Sequence, residues 1–350
     1  LEIITIAVDA MGGDYGPSVI VPAALRVLAK REALHLILVG DRTAIEKELR
    51  AKNAKENTRL KIHHTTQKVE MNESPAHALR NKKDSSMRVA INMVKESLAN
   101  AAVSAGNTGA LMATARFVLK TLPGIDRPAI ISTFPTAIKN KNMRMLDLGA
   151  NVDCTAEHLF QFAVMGSVLA SALDSIATPK VCLLNIGEED IKGNDQVKET
   201  AVLLSHSPIN YCGYIEGDQI YQGDIDVIVA DGFVGNVALK TSEGVAKFIG
   251  KLIKDAFQSG WFSKLAALIA LPVLKSLIKR IDPDRYNGAS FIGLQGIVVK
   301  SHGGAKIHAF AHALEEAMAQ VEKNILERIG TEVTRVLIQS KQNQSKNDEG

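Results

Sequence analysis

Between Lys180 and Asp195 the chain reads Lys-Val-Cys-Leu-Leu-Asn-Ile-Gly-Glu-Glu-Asp-Ile-Lys-Gly-Asn-Asp, the pattern that most restricts the fold. Val181–Leu184 is a short apolar run after Pro179, of the kind that fills a central parallel strand buried on both faces. It breaks at Gly187 into three acids and the turn Lys192-Gly193-Asn194-Asp195. A helical pattern follows, with Val197, Ala201 and Leu204 on one face. Asn194 stands where an N-cap belongs, and Asp195 complements the positive helix start. A lysine held between a strand end and a helix start can bind an anion. An ordinary surface loop has the same composition, so this stretch does not decide the matter alone.

The same grammar recurs. Residues 224–233 run Asp-Ile-Asp-Val-Ile-Val-Ala-Asp-Gly-Phe, a buried strand into an Asp-Gly break, then Gly235, Asn236 and a long helix. Ile3–Val8 is a strand ending in Asp9-Ala10-Met11-Gly12-Gly13-Asp14, and residues 101–110 switch from strand to helix through small residues alone. Ala129–Phe134 and Met143–Leu148 read as a hairpin about Lys139-Asn140-Lys141; the second strand ends Asp147-Leu148-Gly149-Ala150-Asn151 before a helix to about Leu173. Phe291–Lys300 reads as one late strand ending Ser301-His302-Gly303-Gly304, with a long helix beyond it to about Ile329. Strands alternating with helices predict an α/β fold, and open α/β sheets bind ligands at the carboxyl ends of their strands. Several polar, Gly-rich strand ends therefore point to one shared crevice.

The remaining periodicity predicts helices over 18–30 and 43–52, strands at 34–39, 60–64 and 210–216, and a largely helical segment from Met71 to about Leu98. No linker or internal repeat interrupts the chain. One α/β/α domain over 1–339 is expected, with a projecting helical segment near 257–282 and a polar, disordered tail over 340–350. Lys and Arg total 41 against 38 acids, a formal +3 too mild for a nucleic-acid protein. The first residues lead straight into a strand, so no signal peptide is expected, and three scattered cysteines fit a reducing, cytoplasmic setting.

Other chemistries have weak support. Cys182 and Cys212 lie in apolar strands, Cys154 lies near a helix start, and no Gly-x-Ser-x-Gly elbow occurs. His308 and His312 are spaced i,i+4, but Ala-Phe-Ala lies between them where a metalloprotease needs Glu. There is no Walker loop and no Gly-x-Gly-x-x-Gly fingerprint.

Six segments taken in order carry a resemblance. They are Asp-Ala-Met-Gly-Gly-Asp at 9–14, Ser-Ala-Gly-Asn-Thr-Gly-Ala at 104–110 and Leu-Asp-Leu-Gly-Ala-Asn-Val-Asp at 146–153. With them go Asn-Ile-Gly-Glu-Glu-x-x-Lys-Gly-Asn-Asp at 185–195, Asp-Gly-Phe-Val-Gly-Asn at 231–236 and Ser-His-Gly at 301–303. The chain resembles the PlsX family, the phosphate:acyl-acyl-carrier-protein acyltransferases of bacterial phospholipid synthesis. The resemblance implies a Rossmann-like α/β/α fold related to phosphotransacetylase and the isocitrate/isopropylmalate dehydrogenases, a homodimer, and no cofactor or metal. It implies transfer of a long-chain acyl group from acyl carrier protein to inorganic phosphate. The acyl phosphate would feed a membrane glycerol-3-phosphate acyltransferase of the PlsY type.

Phosphate is already an anionic nucleophile, so the site must hold it against a thioester and stabilise an oxyanion. Lys192 is expected to supply charge and Asn236 a hydrogen bond, as the catalytic pair. The expected substrate-binding set is Asp9, Gly12, Gly13, Ser104, Gly106, Asn107, Thr108, Asp147, Asn151, Asp231, Gly232, His302 and Gly303, in which the aspartates orient donors. A dehydrogenase of related fold would need an acidic metal cluster and an arginine clamp, and the polar strand ends contain no arginine.

Residues 261–280 stand apart. Their longest uncharged run is the ten residues Leu265–Leu274, short of the roughly 20 that span a bilayer. Lys264, Lys275, Lys279 and Arg280 flank that run, and Pro272 is expected to kink it or to divide it into two short helices. Trp261, Phe262, Leu265, Leu268 and Ile269 are expected to touch an anionic membrane surface reversibly, on the inner face of the cell membrane, or to serve the dimer.

Overall fold

The computed structural model of the chain describes residues 3–281 and 283–348; among these, the side chains of Lys264, Ala266, Ile269, 275–281, Pro283, Arg285, Leu337 and 340–348 lie outside the description. In chain order the elements begin β1 (Ile4–Asp9), α1 (Pro17–Leu28), β2 (Leu34–Gly40), α2 (Arg42–Ala51), β3 (Leu60–His64), α3 (Pro75–Asn81), α4 (Ser86–Lys95), β4 (Ala101–Ser104) and α5 (Thr108–Leu119). They continue β5 (Ala129–Pro135), β6 (Asn142–Leu146), α6 (Ala156–Leu173), β7 (Val181–Leu184), α7 (Asp195–Ser205), β8 (Tyr211–Ile215), β9 (Val227–Val229), α8 (Gly232–Gln258) and α9 (Trp261–Ile281). Then follow a 3-10 turn (Pro283–Tyr286), β10 (Ala289–Ile292), β11 (Ile297–Lys300), α10 (Ile307–Glu322) and α11 (Ile325–Asp348).

The strands form one eleven-stranded sheet in the order β3-β2-β1-β4-β11-β10-β5-β6-β9-β7-β8. Period-2 alternation divides its side chains between two faces. Ile6 and Val8 of β1 pack with α1 and α10, through Ile20, Val27, Phe310 and Leu314, whereas Ala7 turns to the opposite face. Val181 and Leu183 of β7 pack with α6, whereas Cys182 turns away from it. Helices thus cover both faces, which gives the three-layer α/β/α architecture. Fully buried side chains such as Ile6, Leu36 and Phe162 each contribute on the order of 2–3 kcal/mol. Among the described residues, α6 alone has the length and hydropathy to cross a membrane; 72% of it is buried, as suits a core helix.

Strand direction splits the sheet. β4 runs parallel to β11, β10 is antiparallel to both β11 and β5, β5 is antiparallel to β6, and β6 and β9 are parallel. Hence β1, β4 and β11 end at one edge, and β6, β9 and β7 end at the other.

Several expected elements differ. The late strand is two antiparallel strands, because Gly293 takes a left-handed conformation (φ 88°) inside the apolar run. The segment after Met71 is two helices, each opened by its own serine cap, Ser74 and Ser85. The C-terminal helix breaks at Asn324 (φ 50°), and the backbone of 340–348 continues α11 where a disordered tail is expected. Pro272 lies inside α9 rather than dividing it: one missing N–H removes one rung, and the flanking turns carry the helix past it. The break in this part of the chain falls at Ser259-Gly260, between α8 and α9.

Candidate active site

Asp9 organises the first group of strand ends. Its carboxylate is buried and accepts hydrogen bonds from Ser86 Oγ (2.5 Å), Ser104 Oγ (2.6 Å) and the Met11 amide (3.2 Å). Burial pushes its pKa up, and these hydrogen bonds oppose the shift. The Ser104 hydroxyl also accepts from Gly106 N (3.0 Å), so it is spent on holding the loop. A Cβ on Gly12 would lie 2.7 Å from both the Asp9 carboxylate and Gly106 N. The Asp14 amide donates to Gly303 O (2.9 Å), which ties the Gly13 turn to the end of β11.

Lys300 ends β11 beside this cluster. Its buried ammonium donates to the carbonyls of Ala105 and Ser301, and burial pulls its pKa down to about 8 against the opposing pull of Asp9. His302 follows on. Its amide donates to Asn287 Oδ1 (2.8 Å) and its Nδ1 accepts from Gly304 N (3.1 Å), so the neutral ring carries its proton on Nε2. Burial lowers the His302 pKa; Glu243 of α8 opposes this, while Lys300, Lys240 and Lys247 reinforce it. The middle of α8 therefore lies within electrostatic reach of His302.

Asp147 organises the opposite edge. Its fully buried carboxylate accepts from the amides of Ile130 (2.9 Å), Ala150 (3.1 Å) and Asn151 (2.8 Å) and from Asn151 Nδ2 (2.9 Å). Burial raises its pKa while these four donors oppose the rise. Asn151 Nδ2 also donates to Pro128 O (2.8 Å), and Gly232 N donates to Asn151 O (2.8 Å). Asp231 caps α8 by accepting from Val234 N (2.9 Å). The helix starts at Gly232, so Asn236 is not its cap. Gly235 must lack a side chain, because a Cβ there would strike Asp147 O. That close approach lays the first turn of α8 on the 147–151 loop.

α5 leaves one edge of the sheet and α8 the other, and a cavity of about 490 Å³ lies between them. Thr108, Met112 and Arg116 line it from α5, Leu148 and Gly149 from the loop, and Asn236 from α8. The crevice joins apolar walls to a cation, an amide side chain and the N-terminal turn of α5. That combination suits a ligand with an apolar chain and an anionic head. The expected single crevice at one row of strand ends is thus replaced by a crevice between two helices from opposite edges.

Asn236 and Thr108 meet in this crevice. Lys192 does not line it: its side chain is exposed on the 185–194 loop, where Asn185 Nδ2 bonds Gly187 O (3.0 Å) and Lys192 O (3.3 Å). The loop nevertheless leaves β7, the neighbour of β9, at the same edge as Asn236. Asn107 caps α5 through Ala110 N (3.0 Å), and its amide holds Met71 O (2.7 Å) and Glu73 O (3.0 Å). Asp9, Gly12, Gly13, Ser104, Gly106, Asp147, Asn151, Asp231 and Gly232 do not line the crevice; they hold the two groups of strand-end loops in shape.

Three residues escaped the sequence reading. Arg116 sits two turns inside a helix rather than at a strand end, and the four-residue spacing Thr108, Met112, Arg116 was the signal for it. Ser86 and Lys300 act through partners distant in the chain. Burial drives the Cys154 thiol up to about 11 and the Cys182 thiol up to about 12, away from the reactive thiolate.

On the α8–α9 hairpin, Trp261 and Phe262 are each 69% exposed and stacked (centroids 3.6 Å apart), and Leu265 and Leu268 are also exposed. The side chain of Ile269 lies outside the described residues.

Residues 4–328 match the family model described as "Fatty acid synthesis protein". The phosphate acyltransferase of Alkalilimnicola ehrlichii is 61% identical over 324 residues, covering 93% of this chain and 94% of that one. The phosphate acyltransferase of Coxiella burnetii (strain Dugway 5J108-111) is 59% identical over 335 residues, 95% and 97% of the two chains. A phosphotransacetylase from Streptococcus pyogenes superposes with a TM-score of 0.63 at 17% identity, covering 91% of this chain and 94% of that one. EutD phosphotransacetylase from Staphylococcus aureus gives a TM-score of 0.57 at 16% identity, over 91% and 93%. These two structures share the fold.

Proposed function

Because this chain belongs to the PlsX family of fatty acid synthesis proteins and is a phosphate acyltransferase, we propose that it transfers a long-chain acyl group from acyl carrier protein to inorganic phosphate in the α5–α8 crevice. The observation that carries this reading is the meeting of Asn236, Arg116 and the start of α5 around one apolar-walled cavity.

In the proposed reaction a phosphate oxygen attacks the thioester carbonyl carbon and a C–O bond forms. The carbonyl oxygen becomes an oxyanion. On collapse the C–S bond breaks, the sulfur leaves as thiolate and takes the proton that the hydrogen phosphate carried, and acyl phosphate dianion and free carrier thiol remain. Phosphate needs no activation, so the site gains from proximity and from fixed donors at the developing charge. Asn236 Nδ2 donates to phosphate or oxyanion, and Arg116 and the N-terminal turn of α5 attract the dianion. Lys192 closes over the reacting centre from the neighbouring strand end. Asp9 and Asp147 position backbone and hydroxyl donors, since their carboxylates are occupied.

The exposed hydrophobic residues of α8 and α9 support a further part of the proposal: a homodimer that acts from the cytoplasm and touches an anionic membrane surface through Trp261, Phe262, Leu265, Leu268 and Ile269. Acyl phosphate would pass there to a membrane glycerol-3-phosphate acyltransferase of the PlsY type. Purified protein, acyl carrier protein thioester and phosphate should release free carrier thiol; no release would leave a non-catalytic membrane-surface protein as the better reading.

A further inference from the structure

The outer face of α4 and α5, beside the crevice, carries a patch that the chemistry above does not use. Phe117 is 53% exposed, with the Arg88 guanidinium 5.2 Å and the Lys120 ammonium 5.0 Å from its ring centroid. Such cation–π contacts hold long basic side chains in place over an aromatic anchor. Among the described residues, neither Arg88 nor Lys120 nor the adjoining Arg116 forms an ion pair; Arg88 Nε bonds only the neutral Asn92 Oδ1 (3.2 Å). Residues 75–120 hold seven Lys and Arg against two acids, a formal +5, whereas the whole chain is +3. The segment that carries the patch is therefore the basic part of the chain, and the remainder of the chain is weakly acidic.

The patch also lies in a telling place. Arg116 lines the crevice, and Phe117, its chain neighbour, points to the outer face. A partner on the patch would stand at the mouth of the crevice, with a tethered prosthetic arm entering past Arg116. We infer that Arg88, Phe117 and Lys120 form the docking surface for the acidic carrier protein that delivers the acyl thioester. This rests on the proposed reaction and adds the face by which the donor arrives. Attraction between a basic patch and an acidic partner acts over a Debye length, so it predicts affinity that falls steeply with salt.

The test measures binding of fluorescently labelled acyl carrier protein by anisotropy, beside turnover of acyl-pantetheine, a thioester lacking the protein. Wild type should bind the carrier with affinity that weakens from 50 to 300 mM salt. Arg88→Glu/Lys120→Glu should weaken that binding about tenfold or more and lose most of the salt dependence. Its acyl-pantetheine turnover should stay within about twofold of wild type. Lys120→Glu and Phe117→Ala singly serve where the double variant fails to fold. Unchanged carrier affinity in folded variants overturns the inference, as does equal loss with both donors, or loss of anionic vesicle binding with carrier binding intact. Wild type that binds the carrier yet releases no thiol with phosphate would instead overturn the proposed function and leave the docking surface standing.

Discussion

Asn236 lies over Gly149: a Cβ on that glycine would come within 3.5 Å of both Cβ and Cγ of the Asn236 side chain. The side chain thus faces a loop that Asp147 has already fixed.

Asn236→Ala should lower turnover by about 10- to 100-fold. Asn236→Asp should lower it further, because a carboxylate repels phosphate. Asp231, not Asn236, caps α8, so both variants should unfold within about 0.5 kcal/mol of wild type. Denaturation and turnover measured on the same samples check this; a stability loss with unchanged turnover of the folded fraction would assign Asn236 to the fold.

Asp147→Ala should be far more destabilising. It removes the acceptor of the Ile130, Ala150 and Asn151 amides and one of the two acceptors of Asn151 Nδ2, and each buried amide left unpaired costs about 1–3 kcal/mol. Urea unfolding should show a loss of at least about 3 kcal/mol, and Asp147→Asn, which retains an acceptor oxygen, should lose less.

Burial depresses the Lys300 pKa from 10.5 to about 8. Between those two values the unfolded chain binds more protons at this residue than the folded chain, so its contribution makes stability rise with pH. Below about 8 the cost of the buried charge is fully present. Relative to Lys300→Met, wild type should gain on the order of 3 kcal/mol between pH 7 and pH 10.5. Urea unfolding of both proteins at the two pH values measures this, and a constant difference would contradict it.

Lys192→Ala should reduce turnover by on the order of 10²-fold without loss of fold, if its loop closes over bound phosphate. Turnover within about threefold of wild type would remove Lys192 from the chemistry.

Much of the fold was legible because short apolar runs mark the strands: β1, β2, β5 and β7 lie within a residue or so of expectation. The Asn194 cap also stands where its spacing placed it, accepting from Val197 N (2.9 Å). What escaped depends on partners distant in the chain. Gly293 reverses an apolar run whose periodicity shows no break. The split of strand ends between two edges follows from β10 inserting between β11 and β5. The site was legible as a set of polar loops, but not as a cavity. Periodicity could place Arg116 on α5, but not reveal that α8 lies across the crevice from it on the same face of the sheet.

Acyl transfer between α5 and α8 needs that space open, so filling it should stop the reaction. Ala113 lines the crevice beside Met112 and Arg116, and Ala113→Trp would occupy much of it. The measurement is phosphate-dependent release of carrier thiol by this variant and by wild type, at matched thermal stability. kcat/KM for the acyl carrier protein thioester should fall about tenfold or more; turnover equal to wild type in a folded Ala113→Trp protein would rule out this crevice as the place of the reaction.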